Sequence, residues 1–516
     1  MNWTNQSPNR SLPAKHQQEG SVMALVLATQ SRSLREFRLL PSYTPVEAGV
    51  AEVSLRVPVC RDRSGEAGET IDLAVPILSA AMQAVTGLEL GIAIAQLGGL
   101  GVLPASQPIE LQCAWVDRLK RWKAGFQTDL VTLAPEQSLA EVVSLMRSSG
   151  YRRFPVTDTG IFHGRLLGVL SDKDFDPREP GDLALRVRDR MRKDVQVGVA
   201  IEDLADANRL MVEYGRGFLP IVSEEGTLLS VVFKKDRDKH LSHPAETVDS
   251  RRRLRVAAAL STHPEDRERA RALQASGVDC FVIDASDGHS QFQADTIEFL
   301  RELGDCPVIA GNVVTAAGFE FLAQAGADAV KVGMGIGSGC ITQEVKATGR
   351  GQATAIAEVA AARDAWAQKH GTRLPLIADG GLGGAAEIVV ALALGADSVM
   401  LGNLLARFSE SAGRRVRGPR GEDCKEYWME GSERAHNSRR YAQNALHFFA
   451  EGVEGTVPHA GSIFDGLPKL ISALRSALST AGCATVAELH QRAVLELLSP
   501  AGQGDSAVRG MTLACG

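Results

Sequence analysis

The sequence predicts an α/β protein built on a closed (β/α)8 barrel of the TIM type, with a second, smaller domain inserted into it. Three observations predict this fold. Short apolar segments rich in β-branched residues alternate with helical segments, most of them about 20 residues apart, which is typical of a parallel sheet buried on both faces. Eight such segments occur, the number of strands that closes a barrel. A long interval after the second segment contains an internal repeat.

The predicted strands share apolar composition and short length. They are residues 75–79, 99–103, 256–260, 280–284, 307–311, 329–333, 374–379 and 398–402. Amphipathic segments such as 264–276 and 316–325 are predicted to be the connecting helices. A doubly wound open sheet is the structural alternative, because it is built from the same alternation of strands and helices. The stretch 407–458, which follows the eighth strand, is predicted to be irregular.

The repeat lies between the second and third predicted strands. One copy contains Phe154-Pro-Val156 and Leu166-Leu-Gly-Val169, and the other contains Leu219-Pro-Ile221 and Leu228-Leu-Ser-Val231, at an offset of about 62 to 65 residues. Each copy is predicted to fold as helix, strand, turn and strand. Such pairs resemble cystathionine-β-synthase (CBS) repeats, and the resemblance implies an adenine or guanine nucleotide as effector. A purely structural insert is the alternative.

These features predict the domain organisation. A flexible extension spans residues 1–35, the barrel comprises 36–125 and 241–516, and the CBS-pair regulatory insert spans 126–240. Within the second barrel segment, residues 407–458 are predicted to include a mobile flap.

Composition excludes several classes of protein. A net charge of -6 over 516 residues gives no sign of nucleic-acid binding, and no apolar stretch reaches the length of a membrane span. The first residues lack the basic-then-apolar order of a secretory signal. None of the eight cysteines forms a Cys-x-x-Cys pair, so neither a zinc site nor a disulfide framework is expected. A reducing cytoplasm is the predicted location.

A glycine-rich loop after the sixth strand contains the strongest chemical signal. It runs from Lys331 to Glu344 and includes Cys340, with glycines at 333, 335, 337 and 339. Glycines let a backbone turn tightly and approach a ligand closely, and a cysteine on such a loop can act as an activated nucleophile. The alternative is a glycine-rich turn with an inert, buried cysteine.

The stretch Gly337-Ser-Gly-Cys-Ile-Thr342 resembles the catalytic loop of the inosine-5'-monophosphate (IMP) dehydrogenase family. Further stretches share the likeness: Ser79-Ala-Ala-Met82, Tyr427-Trp-Met-Glu-Gly-Ser432, Arg440-Tyr441 and Glu451-Gly-Val-Glu-Gly455. The resemblance extends from about residue 37 to 502. It implies oxidation of IMP to xanthosine monophosphate with NAD, through a covalent cysteine–nucleotide intermediate, in guanine nucleotide biosynthesis.

The resemblance also implies roles for single residues. Catalysis is expected from Cys340, Thr342, Arg440 and Tyr441, with water activated either by Arg440 or by a relay through Thr342 and Glu451. The IMP site is expected to comprise Met82, Ser338, Asp379, Gly381, Gly402, Asn403, Tyr427, Glu430, Gly431 and Glu451. Within it, Asp379 would bind the ribose, and Ser338, Gly381 and Gly402 the phosphate. The NAD site is expected to comprise Asp284, Ser286, Asn312, Gly333 and Gly335. Three places depart from the family pattern. Asn403 stands where a serine or arginine is expected, and Met429 stands where a glycine is usual. Leu103-Pro-Ala-Ser106 stands where His-Lys-Asn is commoner.

A potassium ion is a further implication of the resemblance. Its ligands would be backbone carbonyls of Gly335, Gly337 and Cys340, completed by Gly502, Gln503 and Gly504 of a neighbouring subunit. This implies a homotetramer, with an octamer left open.

Two other functions remain as alternatives. The first is guanosine monophosphate reductase, which shares the barrel and the cysteine but lacks the Arg-Tyr flap, and whose loop usually reads Cys-Thr-Thr. The second is a non-catalytic nucleotide sensor that uses the CBS-like pair on an inactive barrel.

Overall fold

The computed structural model describes residues 26–63, 70–122, 126–127, 130–201, 204–234, 243–436 and 449–505. By packing, the chain divides into two units, Met1–Ser31 and Arg32–Gly516. In the first unit only residues 26–31 are described, and they contain no helix or strand. The second unit contains every element discussed below. No helix in the described ranges combines the length and apolar composition that a membrane span requires.

The strands are short, as expected for a barrel protein. They are β1 (Phe37–Leu39), β2 (Val57–Arg61), β3 (Thr70–Leu73), β4 (Ile77–Ser79), β5 (Gly101–Leu103), β6 (Arg153–Thr157), β7 (Leu166–Ser171), β8 (Gly198–Val199), β9 (Phe218–Val222), β10 (Leu228–Phe233), β11 (Val256–Leu260), β12 (Cys280–Ile283), β13 (Val308–Val313), β14 (Ala329–Val332), β15 (Leu376–Asp379), β16 (Ser398–Leu401), β17 (Arg415–Arg417), β18 (Asp423–Trp428), β19 (Glu454–Pro458) and β20 (Leu495–Leu497).

The helices connect these strands or cover the barrel. They are α1 (Leu88–Gln96), α2 (Ile109–Lys120), α3 (Leu139–Ser149), α4 (Pro180–Leu183), α5 (Val187–Arg190), α6 (Leu204–Glu213), α7 (Asp266–Ala275), α8 (Gln291–Leu303), α9 (Ala316–Ala325), α10 (Thr342–Lys346), α11 (Gln352–His370), α12 (Ala385–Ala393), α13 (Asn403–Ala406), α14 (Glu433–His436), α15 (Ile463–Thr480), α16 (Val486–Arg492) and α17 (Pro500–Asp505). Two short 3-10 helices, Leu34–Glu36 and Val46–Ala48, precede β2.

Eight strands form one parallel sheet in the order β4-β16-β15-β14-β13-β12-β11-β5. The two end strands also meet, because the amide of Ser79 donates to the carbonyl of Leu100 at 3.0 Å and the amide of Leu100 donates to the carbonyl of Ile77 at 3.1 Å. The sheet therefore closes into a barrel, which confirms the predicted fold and shows that the open-sheet alternative is wrong. Each predicted strand coincides with an observed one within two residues at either end.

Local sequence explains how the barrel elements form. All residues of β11, β12 and β14 are buried, because the core packs on one face of each strand and helices on the other. Helix α9 shows how the connections begin and end. The hydroxyl of Thr315 accepts from the amide of Gly318 at 3.2 Å, and Gly326 ends the helix at a φ of +97°, a conformation that glycine adopts without strain.

The segment between α2 and β11 has its own apolar packing. Helix α3 with the antiparallel pair β6–β7, and α6 with the antiparallel pair β9–β10, both follow the order helix, strand, turn, strand. Three hydrophobic clusters in this segment, around Phe154, Phe218 and Leu219, are distinct from the large cluster of the barrel. Gln127 and Val231 exchange backbone hydrogen bonds of 2.9 and 3.0 Å, so the chain enters and leaves this segment side by side.

The stretch 407–458 is more regular than the sequence predicts. It contains a three-stranded antiparallel sheet in the order β17-β18-β19, so the prediction of an irregular stretch is wrong for these residues. Asp423–Trp428 has no regular alternation of polar and apolar residues, since its burial pattern is not two-residue periodic, so the period-2 strand signal was absent. Two flanking contacts hold the sheet: Arg434 lies over the Trp428 ring at 3.9 Å, and Arg414 and Arg434 both donate to Glu426.

Candidate active site

A pocket of about 390 Å³ opens at the carboxyl ends of the barrel strands, the end where loops follow the strands. It brings together loops that lie far apart in the sequence. Its lining includes many of the predicted site residues: Met82, Asp284, Ser286, Asn312, Gly333, Gly335, Gly337, Cys340, Thr342, Asp379, Glu430, Gly431 and Glu451.

The cysteine loop is held by backbone hydrogen bonds on both sides of Cys340. Its own amide donates to the carbonyl of Gly337 at 3.1 Å, which closes a tight turn. The amide of Ile341 donates to Glu451 and the amide of Val453 donates to Gly339, both at 2.9 Å. The loop therefore forms a short antiparallel ladder with residues 451–453, near the end of the stretch predicted to include the flap. Two stretches more than a hundred residues apart in sequence are fixed against each other by it.

This ladder aligns three reactive side chains. The sulfur of Cys340 lies 3.1 Å from the hydroxyl oxygen of Thr342, and that hydroxyl lies 3.1 Å from the carboxylate of Glu451. The ammonium of Lys346 is 3.5 Å from the same carboxylate. A hydroxyl can both donate and accept hydrogen bonds, so Thr342 can pass a proton between the region of the sulfur and the carboxylate.

Met429 packs directly beneath the cysteine loop. A Cβ built on Gly339 would lie 3.0 Å from Met429, and one built on Gly337 would lie 3.4 Å from it. Larger side chains at either glycine would press on Met429. The thioether therefore fills the space that the two glycines leave and supports the loop from the flap side.

A second group of predicted residues meets at the other side of the loop. The hydroxyls of Ser338 and Tyr427 are 3.3 Å apart, and a Cβ on Gly402 would lie 3.2 Å from the Met82 sulfur and 3.3 Å from the Tyr427 oxygen. Burial raises the pKa of the Tyr427 phenol, so it stays neutral and can donate. Hydroxyls and a glycine backbone at this point make a small polar cradle that suits an anion.

Two further predicted residues border this cradle. Gly381, at a φ of +75°, follows β15 and would place a Cβ 3.4 Å from Ile336. Asn403 is turned aside, since its side-chain oxygen accepts from Arg407 at 2.9 Å. Its side-chain oxygen is therefore engaged by the residue that follows α13, and its backbone is the part that adjoins Gly402.

Carboxylates from two strands approach one lysine. The ammonium of Lys331, on β14, lies 3.2 Å from Asp379 and 3.6 Å from Asp284. Asn312 donates from its amide nitrogen to Asp379 at 3.0 Å and to the carbonyl of Gly333 at 2.9 Å. Both partners are acceptors, which fixes the orientation of the amide. The side-chain oxygen of Asn312 is buried and has no hydrogen-bond partner in the described protein, so it can accept from a ligand.

The carboxylate of Glu430 does not join these groups. It is buried, at 8% exposure, and accepts from the amide of Gln83 at 2.6 Å and from the hydroxyl of Ser106. The indole of Trp428 donates to the side chain of Gln83 at 3.3 Å. Glu430 thus joins the base of the predicted flap to the loops after β4 and β5.

Other predicted residues lie elsewhere. Arg440 and Tyr441 are outside the described residues. Gly502, Gln503 and Gly504 lie on α17, and the neighbouring chain to which the prediction assigns their role is not part of the structure.

Sequence reasoning missed three residues: Lys331, which lines the pocket, and Gln83 and Ser106, which donate to Glu430 beside it. A charged residue inside an otherwise apolar strand was a signal for Lys331, because buried lysines are rare and need partners. Gln83 and Ser106 had no such signal, since their contacts depend on how loops meet. Within the described ranges no cluster of three or more histidine, cysteine, aspartate or glutamate side chains is suited to a metal ion.

Gly333 gives a test of how tightly the pocket floor is built. Its φ is +140°, and a Cβ there would overlap the backbone carbonyl of Asp379. We expect Gly333→Ala to lower the thermal midpoint by an amount corresponding to more than about 1 kcal/mol and to reduce activity. Gly371→Ala is the matched control, because that residue also has a positive φ, of +69°, but its Cβ would meet nothing within 4 Å. Equal melting of the two variants would contradict the proposed overlap.

Comparison with known proteins agrees with this geometry. Residues 33–509 match the model of the IMP dehydrogenase / GMP reductase domain. Inosine-5'-monophosphate dehydrogenase from Tritrichomonas foetus is 38% identical over 473 residues, which cover 90% of this chain and 93% of that protein. The enzyme of the same name from Aquifex aeolicus is 35% identical, with 92% and 94% covered. A solved structure of GMP reductase from Trypanosoma brucei, in complex with guanosine 5'-monophosphate, superposes with a TM-score of 0.80 at 27% identity, covering 94% of this chain and 98% of that one.

Proposed function

Since this chain belongs to the IMP dehydrogenase / GMP reductase family and is an oxidoreductase of the IMP dehydrogenase type, we propose that it oxidises IMP to xanthosine monophosphate with NAD, in guanine nucleotide biosynthesis. The observation that carries the proposal is the alignment of Cys340, Thr342 and Glu451 in a pocket that also contains Asp379 and Asp284. A nucleophile, a proton path and two carboxylates suited to ribose diols are the groups that this reaction needs.

Nucleotide binding is assigned to the strand ends around the cysteine loop. Asp379 would accept both hydroxyls of the IMP ribose, because a carboxylate has the acceptor sites for a diol. Ser338, Gly381 and Gly402 would donate to the phosphate, with the neutral Tyr427 phenol beside them. Met82, Gly431 and Glu451 would contact the purine. The hydrogen bond that the Arg407 guanidinium donates to the Asn403 side-chain oxygen favours a backbone role for Asn403 rather than a side-chain contact.

NAD binding is assigned to the opposite side of the pocket. The residues fit the cofactor: Asp284 and Ser286 could hold the nicotinamide ribose, and the unpartnered oxygen of Asn312 could accept from a carboxamide. Gly333 and Gly335 leave space for the ring beside the loop. When bound, NAD supplies the acceptor for a hydride. The chain itself positions the nucleotide and excludes water.

The nucleophilic step is assigned to Cys340. Its sulfur forms a bond to purine C2 as the thiol releases its proton to solvent, and the hydrogen on C2 departs with its electron pair, as hydride, to the bound NAD. A thioimidate between Cys340 and the purine remains. Because the Thr342 hydroxyl lies 3.1 Å from the sulfur, it can hydrogen-bond to the sulfur as its charge changes.

Hydrolysis then releases the product. Water attacks C2, the C2–sulfur bond breaks, and the thiolate of Cys340 is restored. The proton from water is accepted either by Arg440, helped by Tyr441 and Thr342, or by Glu451 through Thr342. The 3.1 Å contact between Thr342 and Glu451 supports the second path. A free arginine has a pKa above about 12 and is a poor base near neutral pH.

A monovalent cation, potassium, is proposed at the turn of the cysteine loop. Carbonyl oxygens of Gly335, Gly337 and Cys340 would bind it, and carbonyls are ligands that suit such an ion. The carbonyl of Gly335 already accepts from Gln343 at 2.8 Å, and that of Gly337 from the Cys340 amide at 3.1 Å, but each oxygen has a second lone pair. Residues 502–504 of a neighbouring subunit would complete the site in a homotetramer.

One assay tests the proposed function. The protein is mixed with IMP, NAD and potassium ions, and the absorbance of NADH is followed. Steady formation of NADH that depends on IMP is the expected result. If no NADH forms although IMP binds, the alternatives are GMP reductase, which the superposed structure represents, and a non-catalytic nucleotide sensor.

The segment 126–240 is proposed to be a CBS-pair regulatory domain that binds an adenine or guanine nucleotide. The cysteine, the phosphate cradle and the flap lie outside it. Because its entry and exit at Gln127 and Val231 are hydrogen-bonded neighbours, a short linker can replace it. We expect the deletion variant to keep most of its turnover and to lose any response to added nucleotides, or to change its assembly state.

Two measurements check this expectation. Steady-state rates with and without added adenine and guanine nucleotides are compared between the full chain and the deletion variant. Circular dichroism and a cooperative melt show whether the barrel is folded. A well-folded but inactive deletion variant would refute the regulatory assignment and make the segment part of the working enzyme. If the only change is a sharp rise in the KM for NAD, the segment 126–240 would instead be assigned to support of the loop after β5.

A further inference from the structure

Lys331 is the most deeply buried charged group in the pocket wall. Its side chain is 1% exposed, whereas Asp284 and Asp379 are 22% and 24% exposed. It lies on β14 in a run of four fully buried residues. A charge is retained in such a place only if it is paired, because desolvation costs several kcal/mol. The strand does not need a lysine for packing, since its other residues are small and apolar.

The partners of Lys331 come from two different loops and face the open pocket. Asp379 ends β15 and lies 3.2 Å from the ammonium, and Asp284 follows β12 and lies 3.6 Å from it. Gly311 on the intervening strand β13 leaves room for this arrangement, because a Cβ there would lie 2.8 Å from that of Lys331. Under the function proposed above, Asp379 binds the ribose of the nucleotide and Asp284 the ribose of the dinucleotide.

We propose that Lys331 is a positioning residue shared by both ribose sites. A ribose diol binds well to an ionised carboxylate whose oxygens are held in place, because that form accepts two hydrogen bonds. The ammonium attracts both carboxylates from below and reduces the repulsion between them, leaving their other acceptor sites directed to the pocket. The inference rests on the proposed function, since it takes from it the assignment of the two aspartates to two ligands.

The test removes the positive charge of Lys331 and nearly keeps the length of its side chain. In Lys331→Met we expect the dissociation constant for IMP, by calorimetry, and the KM for NAD each to rise about tenfold or more, within the usual range of coupling between sites, with a smaller change in kcat. Lys331→Arg should restore part of both affinities, because it restores the positive charge. Adding Asp284→Asn to Lys331→Met should recover part of the IMP affinity but not that for NAD, since only one carboxylate then remains.

Lys120 provides a matched control. It is also buried and also lies between two carboxylates, at 3.4 Å from Asp249 and 2.5 Å from Asp279, but it belongs to α2 and does not line the pocket. We expect Lys120→Met to lower the melting temperature and to leave both ligand affinities unchanged. Unchanged affinities in a folded Lys331→Met variant would overturn the proposal, as would a loss that Lys331→Arg does not relieve.

Two further outcomes are distinguishable. If the unmodified protein forms no NADH from IMP and NAD, the proposed function fails and the assignment of the two aspartates fails with it. If Lys331→Met does not fold, the proposal is tested with Asp284→Asn in the otherwise unmodified chain. The ammonium then serves Asp379 alone, so IMP affinity should be retained while the KM for NAD rises. An equal loss for both ligands would overturn the proposal.

Discussion

Replacing Cys340 by alanine is expected to abolish turnover and to leave nucleotide binding nearly intact. The sulfur is the only group in the proposed mechanism that bonds to the purine, so its removal should lower kcat by on the order of 10⁴-fold or more. The ribose and phosphate contacts are assigned to Asp379, Ser338 and Gly402, on other strand ends. Steady-state kinetics measures the loss, and calorimetry with IMP measures the retained binding.

The covalent intermediate gives a second readout for the same variant. Mass spectrometry of the unmodified enzyme, quenched during turnover, should find a nucleotide adduct on the peptide that contains Cys340, and none in Cys340→Ala. Cys113→Ala is the control, because Cys113 is also partly buried and free but lies on α2. An alanine variant at 340 that still turns over would rule out the covalent mechanism.

Arg440→Ala is expected to slow hydrolysis greatly and to leave the hydride step almost unchanged. If this residue activates water, the variant should release a burst of about one equivalent of NADH per site and then turn over slowly. A loss of about 10²- to 10⁴-fold in the steady state is the usual effect of removing a general base. Stopped-flow absorbance separates the two phases. Disappearance of the burst would instead assign Arg440 to binding or to hydride transfer.

The contact between Thr342 and Glu451 allows the two water-activation paths to be separated. Glu451→Gln keeps the size of the side chain and removes its basic carboxylate, so it should block the relay, and calorimetry with IMP checks that its purine contact is kept. If the relay carries the residual hydrolysis of Arg440→Ala, the double variant should be slower than either single one. If Glu451→Gln adds nothing in that background, the relay makes no contribution and Arg440, or another group, activates water. The burst should persist in both variants.

The sequence by itself determined the barrel and singled out Cys340 as the proposed nucleophile. Eight apolar segments with helices between them form a local sequence pattern. Such a pattern can be recognised without knowledge of the fold. The glycines around Cys340 also predicted tight turns from the sequence alone, because glycine adopts backbone conformations that other residues rarely adopt. The strands of the sheet β17-β18-β19 were missed because they carry no clear two-residue alternation, and because β19 pairs with β18 across a long intervening segment.

Only the tertiary structure decided how the side chains meet. Glu430 is predicted to bind the substrate and lines the pocket; only folding shows that Gln83 and Ser106 also lie next to it and donate to its carboxylate. Lys331 stands out in the sequence only as a charge in an apolar strand, and its partners are known only once β12 and β15 bring two aspartates within 4 Å of its ammonium. The physical reason is the same in both cases: a buried polar group must find partners, and which partners are in reach depends on strand order and loop packing rather than on neighbouring residues in the chain.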